Sequence, residues 1–417
     1  ITPLSDGMKA YLTLPFETPW RVIMVADSAV QLTKNKMILS LNQSPKMNFD
    51  WVSPIKFMGI WWAMLIGIWS FTASERQGAT TEHALEYLDW CEKLGIAGLL
   101  IEGWSDKSLA KKLDKKKILE CAKQKKIEIV AQCETASQID DYEKNLVKQF
   151  DELEALGIRY LKLDYSGPKM LIKGREEFHQ SQAGVLHFSN VLKLAAQKKM
   201  MLNVHESIKG TGLERTYPNL LCTEGAKGQE YEGGGLNSKH AVILPFTRML
   251  AGGFDFTPGI FDLNNPAKKV YSTLARQVAY YVVFHSGMQM LADRPESYEK
   301  YKDALSFIQK VPVNFEIEVP LLGKIGEYYA VARRGRGESD WYIGGIVDEV
   351  ARMMKIKLSF LEKDVKYNAF IFRDGDTADF RRNPTDLKID RLVVDAEDEL
   401  EIPVVGMGGF AVRLMKA

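Results

Sequence analysis

The feature that most constrains the fold is a series of eight short apolar segments between residues 55 and 312, most of them followed by an amphipathic helical pattern. Strands that alternate with helices predict a parallel sheet, and eight such units fit a closed (β/α)8 barrel. An open doubly wound sheet is the alternative, but no glycine-rich phosphate loop follows the first segment. In chain order, the predicted strands are FMGIWWAM, GIAGLLIEGW, IEIVAQCE, YLKLDY, MMLNVHE, NLLCTEG, FDFTPG and MQMLAD.

Two other patterns flank this region. After about residue 313, apolar residues recur at every second position between Gly, Asp and Asn, which predicts an antiparallel β-domain, most simply a sandwich. Residues 1–50 also alternate and contain Pro15 and Pro19, which predicts a short N-terminal β segment that needs partner strands from elsewhere. We therefore predict an N-terminal β remnant at 1–50, the barrel at 51–312 and a C-terminal β-sandwich at 313–417.

Composition argues against several functional classes. The 417 residues carry a formal net charge of +1, which gives no electrostatic reason to expect a nucleic-acid partner. The four cysteines form no CxxC pair, which argues against a zinc site or a disulfide framework. The longest apolar run, Phe57–Trp69, is shorter than the roughly 20 residues that span a bilayer. We expect no membrane partner, and composition leaves the oligomeric state open.

Acidic side chains stand at the ends of the predicted strands. In a parallel barrel, reactive side chains lie at the carboxyl ends of the strands. A single acid there commonly caps the next helix, but six acids on one rim repel each other and need a metal, a substrate or shared protons. Such a ring suits either glycoside hydrolysis by paired carboxyl groups or metal-assisted chemistry. The six acids are Glu102, Glu134, Asp164, Glu206, Glu224 and Asp255.

Neighbouring residues favour a sugar as the ligand. Lys162 lies two residues before Asp164, so both face the same side of a strand, where a buried lysine needs an acidic or substrate partner. His205 precedes Glu206 and is either a sugar contact or a core histidine. Flat aromatic side chains suit the C–H face of a sugar ring, although some of those near the strand ends are expected in the core. These aromatic residues are Trp61, Trp62, Trp69 and Trp104.

Longer motifs carry a family resemblance. The stretch VHESIKGTGLERTYPNL and the following TEGAKGQEYE, together with GIWW, LIEGW, ILPFTRMLAGGFDFTPGIF and MLADRPESYEKY, resemble glycoside hydrolase family 97. The resemblance runs from near Trp20 to the C-terminus and includes the C-terminal β-domain. It implies that most of the family's N-terminal β-sandwich is missing, with residues 1–50 as its tail. It also implies a periplasmic or secreted protein.

The resemblance to the family's inverting α-glucosidase branch implies roles for these acids. Glu134 and Glu206 match the two residues that activate water, and Glu230 matches the general acid. The Ca²⁺ ion of that branch is held by residues that match Glu206, Glu224 and Glu230. An inverting reaction predicts base and acid carboxyl groups about 6.5–9.5 Å apart. The residues that match the family's sugar contacts are Glu102, Lys162 and His205.

A second branch of the family keeps the mechanism open. In its retaining α-galactosidases, an Asp after the fourth strand is the nucleophile, and Asp164 matches that residue. Retention predicts Asp164 about 5–5.5 Å from Glu230. That branch typically has Gly where this chain has Glu206. Gln132 departs from the glucosidase pattern, which has His at that position.

Three hypotheses follow from the sequence. The first is a calcium-dependent, inverting α-glucosidase that cleaves terminal glucose from malto-oligosaccharides. The second, of the same class, is a retaining α-galactosidase with Asp164 as its nucleophile. The third, of another class, is a catalytically impaired sugar-binding barrel that lacks its N-terminal domain. The anomer that is released first separates the first two, and turnover of either α-glycoside excludes the third.

Overall fold

In the computed structural model, the described residues are 2–136, 138–233 and 236–417. They form two compact units, of which the first contains a parallel sheet and the second contains the C-terminal β-domain. The first unit comprises Ile1–Ile23, Met37–Ala226 and Ala251–Asp255, and the second comprises Met24–Lys36, Lys227–Leu250 and Phe256–Ala417.

The predicted N-terminal β segment is not formed within residues 2–50. This stretch contains two short helices, α1 (Ala29–Thr33) and α2 (Met37–Ser40), and otherwise irregular backbone. Strands need hydrogen-bonding partners along their edges. Several apolar residues of this stretch are exposed, among them Trp20 at 76% and Ile23 at 84%. The alternation of apolar residues predicted a strand, but a strand forms only where a partner strand is present.

The first unit is built on parallel strands whose residues are nearly all buried, as expected when both faces of a sheet are covered. The strands are β1 (Ile55–Gly59), β2 (Gly98–Ile101), β3 (Glu128–Glu134), β4 (Tyr160–Asp164), β5 (Met170–Ile172), β6 (Arg175–Glu177), β7 (Met201–Val204) and β8 (Leu220–Thr223). Within this unit the parallel strands run in the order β8-β7-β4-β3-β2-β1, while β5 and β6 form a separate antiparallel hairpin.

Helices connect most consecutive strands of this sheet. Thr80, Asp114 and Ser181 cap three of them by accepting a backbone N–H, which satisfies a donor that the first turn leaves free. One helix ends at Gly95 with φ +63°, as its glycine predicted. The predicted helix start Ser137 lies outside the described residues. The helices are α3 (Trp61–Leu65), α4 (Thr81–Leu94), α5 (Lys115–Lys125), α6 (Ile139–Ala155), α7 (Gln182–Gln197) and α8 (Leu213–Thr216).

The seventh predicted strand, FDFTPG, is reduced to a single bridge. Phe254 pairs in parallel with Thr223, and the Asp255 N–H donates to the Thr223 carbonyl oxygen at 3.0 Å. Glu224 follows the same strand, β8. The bridge therefore carries Asp255 to the carboxyl edge of the sheet, where Glu224 also lies.

The second unit begins with helical segments and one further strand. Every residue of its longest described helix, α10, is buried, including the polar Arg276 and Gln277. The predicted strand MQMLAD is present as β9. The elements are α9 (His240–Ile243), α10 (Leu274–Val283), β9 (Met288–Leu291), α11 (Pro295–Lys300) and α12 (Lys302–Lys310).

The C-terminal β-domain has two antiparallel sheets with a shared core. Its strands are β10 (Phe315–Lys324), β11 (Tyr328–Gly335), β12 (Trp341–Val347), β13 (Arg352–Lys357), β14 (Tyr367–Asp374), β15 (Leu387–Val394), β16 (Glu399–Val404) and β17 (Gly409–Lys416). Six of them form a sheet in the order β10-β11-β12-β17-β14-β15, and β13 pairs with β16. Buried residues of both sheets, such as Ile343 and Ile402, belong to one apolar cluster.

The predicted fold class, a (β/α)8 barrel followed by a C-terminal antiparallel β-sandwich, is confirmed. The predicted domain boundaries at residues 50 and 312 stay predictions. Among the described residues, no helix is both long enough and apolar enough to cross a membrane.

Candidate active site

The carboxyl ends of neighbouring strands in the first unit bring five charged side chains together. Lys162 and Asp164 face the same side of β4, with Lys162 Nζ 3.7 Å from Asp164 Oδ1. His205 follows β7, and its Nδ1 lies 3.7 Å from both Asp164 Oδ1 and Glu224 Oε1. Its Nε2 lies 2.9 Å from Asp255 Oδ2. We call these five residues the strand-end cluster.

Opposite charges keep the cations of the strand-end cluster protonated. Burial alone would lower the pKa of Lys162, but the nearby acids, Asp164 first, raise it above its ordinary value. Burial and Lys162 lower the pKa of His205, yet Glu224 and Asp255 outweigh them and raise it to about 9. Two cations therefore compensate the acids at neutral pH, as buried charges require.

Glu102 is buried beside this cluster, after β2, with 7% of its surface exposed. Burial raises its pKa to about 7, while Lys162 opposes that shift. Its Oε1 atom has no hydrogen-bond partner in the described part of the chain. Buried polar atoms are normally paired, so this oxygen is available to a water molecule or a polar ligand.

Asp164 is held by a neighbouring amide. Gln132 on β3 donates from Nε2 to Asp164 Oδ2 at 2.7 Å, and its Oε1 accepts from the Gly103 N–H at 2.7 Å. Asp164 is 8% exposed. The amide fixes one carboxylate oxygen and leaves the other facing Lys162 and His205.

Glu206 occupies a strained backbone position after β7. Its φ of +46° lies in the left-handed region, which non-glycine residues rarely adopt. Its Oε2 accepts from the Tyr165 N–H at 2.9 Å, and its own N–H donates to Glu224 Oε2 at 3.1 Å. Burial, Asp164 and Glu224 raise the pKa of Glu206 to about 7. A carboxyl group that titrates near neutrality can exchange a proton with water.

Glu134 converges on the same loop as Glu206. It is paired with Asp164 in the sheet register, and its side chain is exposed at the rim. Its Oε1 accepts from the Ser166 N–H at 3.3 Å, whereas Glu206 accepts from the preceding N–H, that of Tyr165. Two carboxylates from different strands therefore bind successive N–H groups at the end of β4.

Glu230 belongs to the second unit. It is half-buried in a short 3₁₀ helix, Gln229–Tyr231, which the Gln229 N–H anchors to the Phe256 carbonyl at 2.9 Å. The predicted separations between Glu230 and the acids of the first unit stay predictions.

The predicted Ca²⁺ ligands stay a prediction. Glu206 and Glu224 are adjacent and offer carboxylate oxygens, the donors that Ca²⁺ prefers. Within the ranges described, no group of three or more His, Cys, Asp or Glu side chains is arranged to hold a metal ion. Ca²⁺ takes about six to eight oxygen ligands, so this pair alone does not complete a site.

The tryptophans near the strand ends are mostly engaged within the protein. Trp62 and Trp104 are 0% and 1% exposed, so they are core residues. Trp61 is half-buried, and Trp69 stacks on the His83 ring with centroids 3.8 Å apart. Helix α3 begins at Trp61, so the alternation expected of a strand does not apply there.

Several supporting residues were not singled out as site residues. Gln132 holds Asp164, and Asn203 Nδ2 donates to Asp255 Oδ2. Each is a polar residue inside an apolar strand, two positions before a polar residue at the strand end, and this pattern is a usable signal. Tyr165 gave no signal, because it contacts Glu206 through its backbone.

Three family models match the chain. The Glycoside hydrolase 97 model matches residues 61–226, the model described as Glycosyl-hydrolase 97 C-terminal, oligomerisation matches 315–415, and the Glycosyl-hydrolase 97 N-terminal model matches 2–44.

A curated relative, the retaining alpha-galactosidase of Bacteroides thetaiotaomicron, is 28% identical over 423 residues, which is 96% of this chain and 60% of the relative. A probable retaining alpha-galactosidase of Streptomyces bingchenggensis is 29% identical over 62% of this chain and 36% of its own length. The chain thus spans less than two thirds of these relatives.

Solved structures give closer matches. A Glycoside Hydrolase Family 97 enzyme from Pseudoalteromonas sp. strain K8, in complex with acarbose, is 36% identical with a TM-score of 0.95, covering 100% of this chain and 68% of that chain. A variant of that enzyme in complex with panose is 35% identical with the same TM-score and coverage. A beta-arabinopyranosidase, 18% identical with a TM-score of 0.78, shares the fold over 96% of this chain and 62% of its own.

Proposed function

Because the chain belongs to glycoside hydrolase family 97, we propose that it carries the catalytic barrel of an inverting α-glucosidase acting on malto-oligosaccharides. The observation that carries this proposal is the convergence of Glu134 and Glu206 on the successive N–H groups of Tyr165 and Ser166. Two carboxylates that face one loop can share a water molecule between them. The oligosaccharide ligands of the Pseudoalteromonas relative, acarbose and panose, support an α-glucoside substrate.

In the proposed reaction, the bond between the anomeric carbon and the glycosidic oxygen breaks. Glu230 gives a proton to the leaving oxygen, while Glu206, assisted by Glu134, takes a proton from the attacking water. Water attacks the face opposite the leaving group, so an α-glycoside releases a β-sugar.

We propose that Glu102, Lys162 and His205 bind the sugar hydroxyl groups. Glu102 has an oxygen without a hydrogen-bond partner among the described residues, which a hydroxyl donor would satisfy. Lys162 and His205 carry donors that are buried with the acids of the strand-end cluster. Binding energy from these contacts would hold the anomeric carbon near the water-activating pair.

We also propose that Ca²⁺ is held by Glu206, Glu224 and Glu230. When bound, the ion would supply positive charge that offsets the repulsion between carboxylates. The test is dialysis against a chelator, followed by addition of Ca²⁺ or Mg²⁺. We expect a higher thermal midpoint and higher activity with Ca²⁺ alone, and an unchanged midpoint and unchanged activity after chelation would overturn the metal assignment.

The experiment that tests the mechanism is proton NMR of the first product released from 4-nitrophenyl α-glucoside. An inverting enzyme releases β-glucose before mutarotation, and α-glucose as the first product would overturn the inverting assignment. The same assay with 4-nitrophenyl α-galactoside tests the sugar preference.

A retaining α-galactosidase is the second candidate function. Asp164 supports it, because this buried carboxylate lies beside Lys162 and His205, and the two curated relatives carry that description. A nucleophile at Asp164 would make Asp164→Asn inactive and leave Glu206→Gln partly active. An inverting base at Glu206 predicts that Glu206→Gln is the less active of the two variants.

A further inference from the structure

A carboxylate, an imidazole and a phenol form a hydrogen-bonded chain behind β4. His187 on α7 joins the other two groups: its Nδ1 lies 2.8 Å from Glu143 Oε1 on α6, and its Nε2 lies 3.0 Å from the Tyr165 hydroxyl. His187 is 1% exposed and Tyr165 is 0% exposed. The proposed reaction uses none of these three side chains.

The chemistry of the groups fixes the direction of these hydrogen bonds. A carboxylate only accepts, so His187 Nδ1–H donates to Glu143. Burial lowers the pKa of His187 although Glu143 opposes that shift, so the ring is neutral and Nε2 accepts the Tyr165 O–H. Both ring nitrogens of His187 are therefore paired, and the Tyr165 ring is held in one orientation.

Tyr165, His187 and Glu143 follow one another in the order of a nucleophile, a base and an acid in a catalytic triad. Here, however, these hydrogen bonds hold the Tyr165 ring in place. A nucleophile must be accessible to substrate, and Tyr165 is completely buried. Burial also raises the pKa of the Tyr165 phenol well above its ordinary value, which disfavours the phenolate. Tyr165 contacts the candidate active site through its backbone N–H, which donates to Glu206.

Both polar groups of the peptide between Asp164 and Tyr165, the carbonyl oxygen and the N–H, form hydrogen bonds. Its carbonyl oxygen accepts from Thr135 N at 3.0 Å and from Thr135 Oγ1 at 3.1 Å. Its N–H donates to Glu206 Oε2 at 2.9 Å. The plane of this peptide therefore sets the direction from which the Glu206 carboxylate is held.

We propose that Glu143, His187 and Tyr165 are positioning residues that lock the Asp164–Tyr165 peptide plane and thereby orient the Glu206 carboxylate. This inference rests on the proposed function for its effect on turnover. Small displacements of a catalytic group lower the rate strongly, by about a hundredfold for roughly 1 Å. These three residues therefore affect kcat only through the orientation of Glu206, and they do not contact the substrate.

The test compares Tyr165→Phe with Tyr160→Phe. Tyr160 is a matched control, because it lies at the other end of the same strand and its hydroxyl donates to the Ser53 carbonyl at 2.8 Å. Each variant loses one hydroxyl hydrogen bond. We expect Tyr165→Phe to lower kcat by about tenfold or more with KM within about twofold. Tyr160→Phe should lower the thermal midpoint and leave kcat unchanged.

A second variant tests the same inference in case Tyr165→Phe does not fold. The Glu143 side chain is 31% exposed, so Glu143→Ala should fold. It removes the acceptor of His187 Nδ1, and we expect a fall in kcat in the same direction as for Tyr165→Phe. An unchanged kcat in both folded variants overturns the inference.

Crystal structures of the wild type and Tyr165→Phe give a readout that needs no turnover. We expect the Glu206 carboxylate to leave the backbone N–H at position 165 in the variant. Retention of that hydrogen bond at 2.9 Å overturns the inference. If the wild type turns over neither α-glucoside nor α-galactoside, the proposed function fails, while the crystallographic distance still decides the positioning role.

Discussion

Two buried carboxyl groups, one in each unit, titrate near pH 7 for the same main reason but in different surroundings. Burial is the largest cause of the raised pKa of both Glu102 and Asp374, each about 7. Glu102 lies beside Lys162 and has an oxygen without a hydrogen-bond partner in the described ranges. Asp374 Oδ1 likewise has no hydrogen-bond partner among the described residues, but its Oδ2 accepts from the Val405 and Gly409 N–H groups at 3.1 and 3.2 Å. A raised pKa therefore marks burial, and we expect the charged neighbours of Glu102 to distinguish a proposed sugar-binding acid from a structural one.

The Gly408 backbone packs closely against the Oδ2 oxygen of Asp374. A Cβ atom at Gly408 would lie 2.0 Å from Asp374 Oδ2, so the backbone itself closes over this carboxyl group. The comparison predicts that substitutions around the strand-end cluster change turnover, whereas substitutions around Asp374 change stability.

The largest expected effect is on turnover at Glu206. We expect Glu206→Gln to lower kcat by roughly 10²–10⁴-fold, because the amide cannot take a proton from water. The thermal midpoint should change little, since Gln keeps the size of the side chain. Glu176→Gln, at an exposed glutamate of the same unit, is the control and should behave as the wild type. A loss below tenfold at Glu206 would contradict its role as the base.

The next effect is on the pH dependence of stability at Asp374. Its folded pKa of about 7 lies above the ordinary value of 3.8, so its contribution to stability is complete below about pH 4 and is lost as pH rises through 7. The loss is on the order of a few kcal/mol. We expect Asp374→Asn to unfold in denaturant with a shallower fall in stability between pH 4 and 8.

The exposed neighbour Asp376 provides the control for this measurement, since its side chain is 71% exposed. Asp376→Asn should keep the wild-type dependence on pH between pH 4 and 8, because Lys388 and Arg373 lower the pKa of Asp376 below its ordinary value of 3.8. If the stability profiles of Asp374→Asn and the wild type were parallel, the buried carboxyl would not titrate as inferred.

A moderate effect on substrate affinity is expected at Glu102. Glu102→Gln keeps the volume but weakens a charge-assisted hydrogen bond to a sugar hydroxyl, which is worth roughly 1.5–3 kcal/mol. We expect kcat/KM to fall by about tenfold or more, measured with an α-glucoside near pH 7. An unchanged kcat/KM would place Glu102 with Asp374 among the structural acids.

The smallest effect is expected at the surface of the β-domain. Lys355 and Glu401 form an ion pair at 2.6 Å, but both side chains are more than half exposed. Exposed pairs contribute about 0–1 kcal/mol. We expect Lys355→Ala to change the unfolding free energy by less than about 1 kcal/mol in denaturant titrations, with no change in kcat. A change larger than about 1 kcal/mol would show that this exposed ion pair contributes more to stability than exposed pairs usually do.

Local patterns predicted the strands and helices because periodicity depends on neighbours in the chain. The parallel strands from Gly98–Ile101 to Leu220–Thr223 and the C-terminal strands are where the apolar patterns placed them. The first predicted strand, FMGIWWAM, is wrong in its second half, because the strand ends at Gly59 and a helix begins at Trp61. Residues 2–50 differ, since an alternating stretch forms a strand only when a partner is present. The seventh predicted strand is present only as the bridge at Phe254 for a similar reason, because strand pairing depends on tertiary structure and not on the local sequence.

The site was predictable where acids end strands, because topology alone brings those positions to one edge. Lys162, Asp164 and His205 meet for that reason. The roles of Gln132 and Tyr165 were not predictable, since one depends on contact between strands and the other on a backbone N–H. No residue pattern encodes the direction of a peptide plane.

The left-handed backbone at Glu206 bears on how such a chain can evolve. Glycine adopts φ near +46° without penalty, whereas a glutamate there carries roughly 1 kcal/mol or more of conformational strain. Glu206→Gly would therefore relieve strain as it removes the proposed base, and Asp164 would remain in place. A single substitution, favourable for the backbone, would lead toward the family's other catalytic strategy. With Glu206 as the proposed base, selection for activity would have to maintain this side chain against the conformational preference of its own backbone.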